Sequence, residues 1–518
     1  MSQDLRRPAT TGAAYTASSV LSKLIAVALL PLYTRYLSPA DYGAAEVLFA
    51  GVVAASIVIR FGAIEALLRF YYQAGEDPAR VVSSSFAALF WTATAGALIA
   101  LPFAGPISEA LLDTSDPGLA RIAIGGLWVL TLFEYLLTIF RLEERARAYF
   151  ATTIANVLVT IPVTVVLVAG FDEGARGLLL GSYATGAAFV LGLIALHRRR
   201  LALVADGPLL RRMARFGLPT MPAELSLYSL NFIDRVILVR YAGLAEAGLY
   251  ALAVKFAQAV NVLVRGFQLA WPPLAYSIRD DEEARRAYAV IVTWFVTACA
   301  FAVTGMWLLS RWIVRALAAP EFFRSYEAVG LISTGVTLYA LYMVLVVILG
   351  RTGRTEFNLP ATIAATAVNV VLNLVLVPPY GIVGAGVALV ASYVVVLVLM
   401  YVFTQRLFAV PYEWGRLARV VLVSAAIVAA GELLLPTAGA GGLAARMLLW
   451  LAWPAALWAS GFLAEGERQA LSSLRQPRRL LAELRSGYSE ARRPAATAGR
   501  RAVPEVYEAE VRDEDALP

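Results

Sequence analysis

Residues 382–403 read IVGAGVALVASYVVVLVLMYVF, a run of 22 residues without one acidic or basic side chain. A helix rises 1.5 Å per residue, so roughly 20 apolar residues cross the hydrocarbon core of a bilayer. Residues 81–104 and 148–169 meet the same requirement. Working outward from these, about fourteen such segments fill the chain. They lie at 13–34, 45–69, 81–104, 119–139, 149–169, 178–196 and 218–239, then at 248–274, 289–309, 328–349, 358–377, 382–403, 417–435 and 443–463. The expected fold class is an all-α polytopic membrane protein whose solvent is lipid.

Composition agrees. The chain of 518 residues is 60% hydrophobic, with mean hydropathy +0.69 and 16% charged residues, against roughly 25% charged in ordinary globular domains. The single cysteine, Cys299, excludes an intrachain disulfide and a thiolate metal cluster. The single histidine, His197, sits in an arginine-rich loop and leaves little room for histidine-based metal or triad chemistry. The net charge of +7 reads as arginine bias in loops facing anionic headgroups, not as a nucleic-acid surface. The first apolar run continues to about Tyr33, too long for a signal-peptide core, so it reads as the first span.

The loops set an expected orientation. Even-numbered connections carry Arg141, Arg145 and Arg147, then Arg198–Arg200, then Arg279, Arg285 and Arg286. The odd-numbered ones are poorer, Arg311, Arg315 and Arg324 in the ninth being the exception. The positive-inside rule then places both termini in the cytoplasm. The tail from residue 465 differs: 468–485 has the pattern of a basic amphipathic helix, and from about residue 491 the composition is that of a disordered segment.

The first half recurs in the second. Arg35-Tyr36-Leu37-Ser38-Pro39-Ala40-Asp41-Tyr42-Gly43 aligns with Arg240-Tyr241-Ala242-Gly243-Leu244-Ala245-Glu246-Ala247-Gly248, and at the same offset Arg60 falls on Arg265. A unit of six helices, an even number, makes a parallel repeat about an axis along the membrane normal. The expected organisation is a six-helix bundle at 1–200, a second at 201–410, two added helices at 411–464 and a cytoplasmic tail at 465–518. The bundles face across a central cavity.

Charges within spans cost at least ~2.5 kcal/mol each on insertion scales, so they mark function. They are Lys23, Arg60, Glu65, Glu134, Asp234, Arg235, Lys255 and Arg265, with Glu224 and Arg121 near span ends. Away from span ends, spans 1, 2, 7 and 8 hold every cation of the twelve-helix core. A cavity lined from them would be positive, suiting an anionic group such as phosphate, which arginine grips with a planar fork. Lys23, Arg60, Lys255 and Arg265 are the candidate substrate-binding cations. Asp234, Arg235, Glu65 and Glu134 are candidates for ion coupling or ion pairs. Blander readings stand beside these: Glu65 pairing with Arg69 at i,i+4, Asp234 with Arg235 as a cap or pair, and Arg60 and Arg265 snorkelling to headgroups. Pro31, Pro162, Pro219, Pro222 and Pro360 read as helix bends. No G-x-x-x-x-G-K-[ST] occurs, which excludes ATP hydrolysis by a P-loop.

Family resemblance rests on Gly217-Leu218-Pro219 with Pro222, Asn231…Asp234-Arg235, Ala245–Ala253 with Lys255, Gly266-Phe267, Trp271-Pro272-Pro273, and Leu37–Gly43 in the first half. These resemble the polysaccharide biosynthesis flippases that carry O-antigen and capsule repeat units, within the multidrug/oligosaccharidyl-lipid/polysaccharide exporter superfamily. The resemblance covers about residues 10–465. It implies a bacterial inner-membrane transporter, not an enzyme, that moves an undecaprenyl-pyrophosphate-linked oligosaccharide from the cytoplasmic to the outer leaflet. It implies alternating access driven by an H+ or Na+ gradient without a resident cofactor. Implied partners are membrane lipids, a polysaccharide polymerase and glycosyltransferases, with no nucleic acid. A drug/cation antiporter of the same superfamily would want an acidic cavity. A lipid II flippase shares the helix count, but its characteristic motifs are not seen.

The orientation is testable. With Cys299 replaced, an impermeant thiol reagent applied from outside should label a cysteine at Ser115 and spare one at Ala205. Labelling of both from one side refutes the topology.

Overall fold

The first half of the chain enters the structure through a capped helix start. In the computed structural model, which describes residues 29–463 apart from 74 and 204, Leu30–Tyr36 (α1) ends just before Ser38. The Ser38 hydroxyl accepts from the Asp41 backbone N–H and donates to the Asp41 carboxylate, and Pro39 follows where no helical N–H is lost. The motif that recurs in the sequence is therefore the N-terminus of Pro39–Arg60 (α2). A left-handed pair, Phe61 and Gly62, breaks that helix before Ala63–Phe70 (α3).

The remaining elements are Pro78–Ala100 (α4), Ala104–Leu112 (α5), Pro117–Leu142 (α6), Ala146–Val165 (α7) and Gly174–His197 (α8). A short amphipathic helix, Gly207–Gly217 (α9), leads to Met221–Ala242 (α10), Leu244–Ser277 (α11), Asp281–Leu317 (α12), Tyr326–Arg351 (α13), Asn358–Leu407 (α14), Trp414–Leu434 (α15) and Gly439–Leu451 (α16). The residues up to Leu457 form one compact unit, and those from Trp458 fall in another.

Eleven helices among the described residues are long and apolar enough to cross a membrane. The expected count of fourteen is not established, for three physical reasons. The first span lies mostly outside the described residues. The seventh, α10, carries Glu224, Asp234, Arg235 and Arg240 and is too polar to stand with the eleven. The eleventh and twelfth run together as α14, which turns at Gly381 (φ +53°, ψ −129°) after Pro378-Pro379. The tail beyond residue 463 and Lys23 also lie outside the described residues.

Most of the prolines expected to bend helices sit instead in first turns, where proline costs nothing: Pro222 in α10, Pro360 in α14, and Pro219 in the 3-10 turn before α10. Pro31 is in the first turn of the described part of α1. Pro162 is interior, and α7 passes into a π-helical turn, Val166–Gly170, shortly after it.

Two close backbone crossings join the halves. Gly43 on α2 meets Gly248 on α11, its equivalent in the repeat. A Cβ on Gly43 would stand 2.1 Å from the Leu244 carbonyl oxygen, and one on Gly248 would stand 2.0 Å from that of Pro39. Small residues let helix backbones approach to this degree in a membrane. Toward the other end of α2, Gly62 and Gly217 touch in the same way, at 2.1 and 2.4 Å. The α9 helix is fastened to the first half. Leu209 and Met213 are buried with Leu67, Val81 and Phe140. Arg212 pairs with Glu76 at 2.8 Å, Arg80 pairs with Asp206, and Asp206 caps α9. Arg69 stacks over Phe216 at 4.3 Å instead of pairing with Glu65.

Gly248→Val should force α2 and α11 apart. Overpacking of this kind costs typically 1–3 kcal/mol, so the purified variant should melt several degrees below the wild type. A Gly192→Ala variant, at an α8 glycine with helical backbone and open space around it, controls for loss of glycine alone.

Candidate functional site

Charged side chains gather where α2 meets α10 and α11. Glu46 lies two turns into α2 and is buried. Its Oε1 is 2.9 Å from Lys255 Nζ on α11, and its Oε2 is 3.6 Å from the Arg235 guanidinium on α10. Arg235 also donates to the Glu46 main-chain oxygen at 3.1 Å. One carboxylate from the first half thus holds two cations from the second. In a low-dielectric interior such a group persists only when paired and hydrogen-bonded.

A second ionic cluster forms at the end of α2. Arg60 donates to Glu134 on α6 at 2.5 Å and to Glu224 on α10 at 3.0 Å, with its Nε on the Ser56 carbonyl at 3.3 Å. Glu65 adds its charge to the field on both carboxylates and makes no ion pair among the described residues. The setting of Arg60 is therefore acidic, contrary to the positive cavity expected from its helix. Glu224, expected at the interface with headgroups, is drawn into this cluster.

Asp234 and Arg235, adjacent in sequence, do not pair with each other. Asp234 is fully buried and accepts from Tyr250 Oη at 2.9 Å and Asn373 Nδ2 at 2.8 Å. Asn373 also donates to the Asn369 main-chain oxygen, and the Asn369 side chain stands against Asp234. The Asn369 and Asn373 Oδ1 atoms are buried without hydrogen-bond partners. The cluster is one carboxylate and two free amide oxygens inside the second half. No group of three His, Cys, Asp or Glu side chains able to hold a metal occurs among the described residues.

Two cavities flank the Glu46 link. The first, about 330 Å³, lies among first-half helices and is lined by Tyr33, Phe49, Asn156, Thr160 and Ser182, with Glu46 and Lys255 in its wall. The second, about 430 Å³, lies among α10, α11, α13 and α14 and is lined by Arg235, Arg265, Gln258, Asn261 and four tyrosines. Arg265 has no carboxylate partner among the described residues. The structure thus brings Arg235, Lys255 and Arg265 to one region on α10 and α11 and sets Arg60 apart from it. Sequence reasoning passed over Glu46, because span 2 was read from residue 45 and Glu46 looked terminal. The Ser38-Pro39 cap starts the helix at Pro39 and puts Glu46 well inside. Asn369 and Asn373 were passed over as uncharged.

This interior belongs to a known architecture. The solved inward-closed structure of the lipid II flippase MurJ is similar with TM-score 0.63 at 13% identity, covering 87% of this chain and 98% of that one. An inward-facing multidrug resistance MATE transporter of the MOP superfamily is similar with TM-score 0.61 at 16% identity, covering 74% and 95%. At these identities the likeness is one of fold, the many-helix architecture of those two membrane proteins. Residues 10–278 match the family described as polysaccharide biosynthesis protein, and the chain belongs to that family. Among curated relatives, the succinoglycan biosynthesis transport protein ExoT of Rhizobium meliloti (strain 1021) is 27% identical over 326 residues, 61% of this chain and 64% of that protein, so the match spans just under two thirds of the relative's length.

Glu46→Gln should strand two cations. Breaking a buried pair by removing one partner costs about 3–5 kcal/mol, so the single variant should unfold at markedly lower denaturant. Combining it with Lys255→Met should restore part of the loss. Additive losses would show that Glu46 and Lys255 do not interact.

Proposed function

We propose that the chain carries an undecaprenyl-pyrophosphate-linked oligosaccharide from the cytoplasmic to the outer leaflet of the bacterial inner membrane, with both termini cytoplasmic. The observation that carries the reading is the second cavity, where Arg265 faces no carboxylate and Arg235 stands beside it. Membership of the polysaccharide biosynthesis family supports the glycan cargo. An unpaired guanidinium in a membrane interior is costly unless an anion visits it, and the planar fork of arginine matches a phosphate. Arg265 with Arg235 receives the pyrophosphate. Arg60 joins only by giving up Glu134 and Glu224. No bond of the cargo is broken, so the protein acts as a transporter and not as an enzyme.

Coupling is assigned to Asp234 with the free amide oxygens of Asn369 and Asn373. Carboxylate and carbonyl oxygens suit a hard cation, and the carboxylate alone suffices for a proton. Transport then follows a Na+ or H+ gradient by alternating access. A drug/cation antiporter is disfavoured because Glu46 and Glu134 are each occupied by internal cations.

The test is export in cells lacking the native protein, paired with flipping in proteoliposomes. Arg265→Ala at native abundance should cut surface glycan at least tenfold, since a lost bond to a charged group costs about 1.5–3 kcal/mol. Arg265→Lys should rescue in part. Asp234→Asn should leave cargo binding intact and abolish the response of flipping to an imposed ion gradient. Normal surface glycan in an Arg60→Ala, Arg265→Ala double variant refutes the phosphate assignment.

A further inference from the structure

The cavity of about 330 Å³ among the first-half helices is chemically unlike its neighbour. Asn156 and Thr160 on α7 and Ser182 on α8 line it, and none of their side chains makes a hydrogen bond among the described residues. All three are half-buried, so their polar groups are open to a ligand or water in the cavity. Tyr33 and Phe49 supply aromatic faces to the same space.

The charge at the cavity is internally cancelled. Lys255 is the one described cation in its wall, and its ammonium is held by Glu46 at 2.9 Å, while Glu46 is shared with Arg235. A phosphate would meet no free cation here, and a cationic drug would meet no free carboxylate. A polyprenyl tail would leave Asn156, Thr160 and Ser182 unpaired. The remaining class is a neutral, many-hydroxyl group with apolar ring faces. The volume lies at the low end of the roughly 300–1,000 Å³ of small-molecule sites, the scale of a single sugar ring with its substituents.

We propose that this cavity is a sugar subsite, holding one neutral pyranose ring of the cargo while the charged end of that cargo occupies the Arg235–Arg265 cavity. Asn156, Thr160 and Ser182 hydrogen-bond the ring hydroxyls, and Tyr33 and Phe49 cover its apolar faces. The subsite rests on the lipid-linked glycan reading given above and adds where the protein senses the sugar.

The test measures binding to the full-length protein in nanodiscs with two probes. One is bare undecaprenyl pyrophosphate; the other carries a single hexose, glucose and galactose being tried in turn. The wild type should bind a hexose-bearing probe more tightly. Each lost hydrogen bond should weaken that probe about fivefold, so Asn156→Ala with Ser182→Ala should erase the preference and leave the bare lipid unchanged. Thr160→Val, nearly isosteric, guards against a folding defect and should reduce the preference alone. A preference that survives all three substitutions overturns the subsite and leaves the cargo reading standing. Equal wild-type binding of bare and sugar-bearing probes also overturns the subsite. Failure of the wild type to bind any of the probes overturns the cargo reading, and the subsite with it.

Discussion

A charge inside hydrocarbon is costly unless partnered, and two ionic clusters of this protein meet that requirement. Glu46 is the clearest case. It is buried, and it holds together Lys255 and Arg235 from two helices of the other half. Arg60 plays the opposite part, a single cation gripping Glu134 and Glu224. Between them these two clusters bind α2 to α6, α10 and α11. The backbone crossings of Gly43 with Gly248 and Gly62 with Gly217 add contact where the helices are smallest. The ion pairs select which surfaces meet, and the glycines let them meet closely.

The fold was legible because membrane spans are long and nearly free of charge, so that even a coarse hydropathy reading finds them. Counting them was harder where charges enter a span. The α10 helix carries Glu224, Asp234 and Arg235, and these lower its hydropathy. The segments Leu37–Gly43 and Ala242–Gly248, aligned in the sequence, lie at the N-terminal starts of the two crossing helices.

The candidate site was legible only in its inventory. Seven of the eight candidate charges lie among the described residues, and the sequence marks each as costly. It says nothing of partners that are 164 or 189 residues away, as Glu224 is from Arg60 and Arg235 is from Glu46. The expectation of a positive cavity came from counting cations by helix. At Arg60, acids from α6 and α10 meet the cation. Arg265 has no carboxylate partner among the described residues. Neutral residues such as Asn369 and Asn373 carry no alarm in a hydropathy profile, yet their buried amide oxygens lack hydrogen-bond partners, and that too costs free energy in an interior.

Pairing of this kind also constrains how a transporter of this fold can move. Glu46 and Arg60 lie fourteen residues apart on α2, roughly 21 Å along its axis at 1.5 Å per residue. Each anchors α2 to the second half at a different depth. Separating the halves at either depth strands charges: Lys255 and Arg235 at one, Glu224 at the other. An uncompensated buried charge costs several kcal/mol, so neither separation proceeds cheaply without something to take the vacated place. Water serves in part. On the proposed reading the cargo serves better, since a pyrophosphate brings anionic oxygens to cations released from Glu46. The ion pairs that hold the halves together would then also make their opening conditional on an anionic guest, a selectivity that lies in the protein's own electrostatics and not in a separate recognition domain.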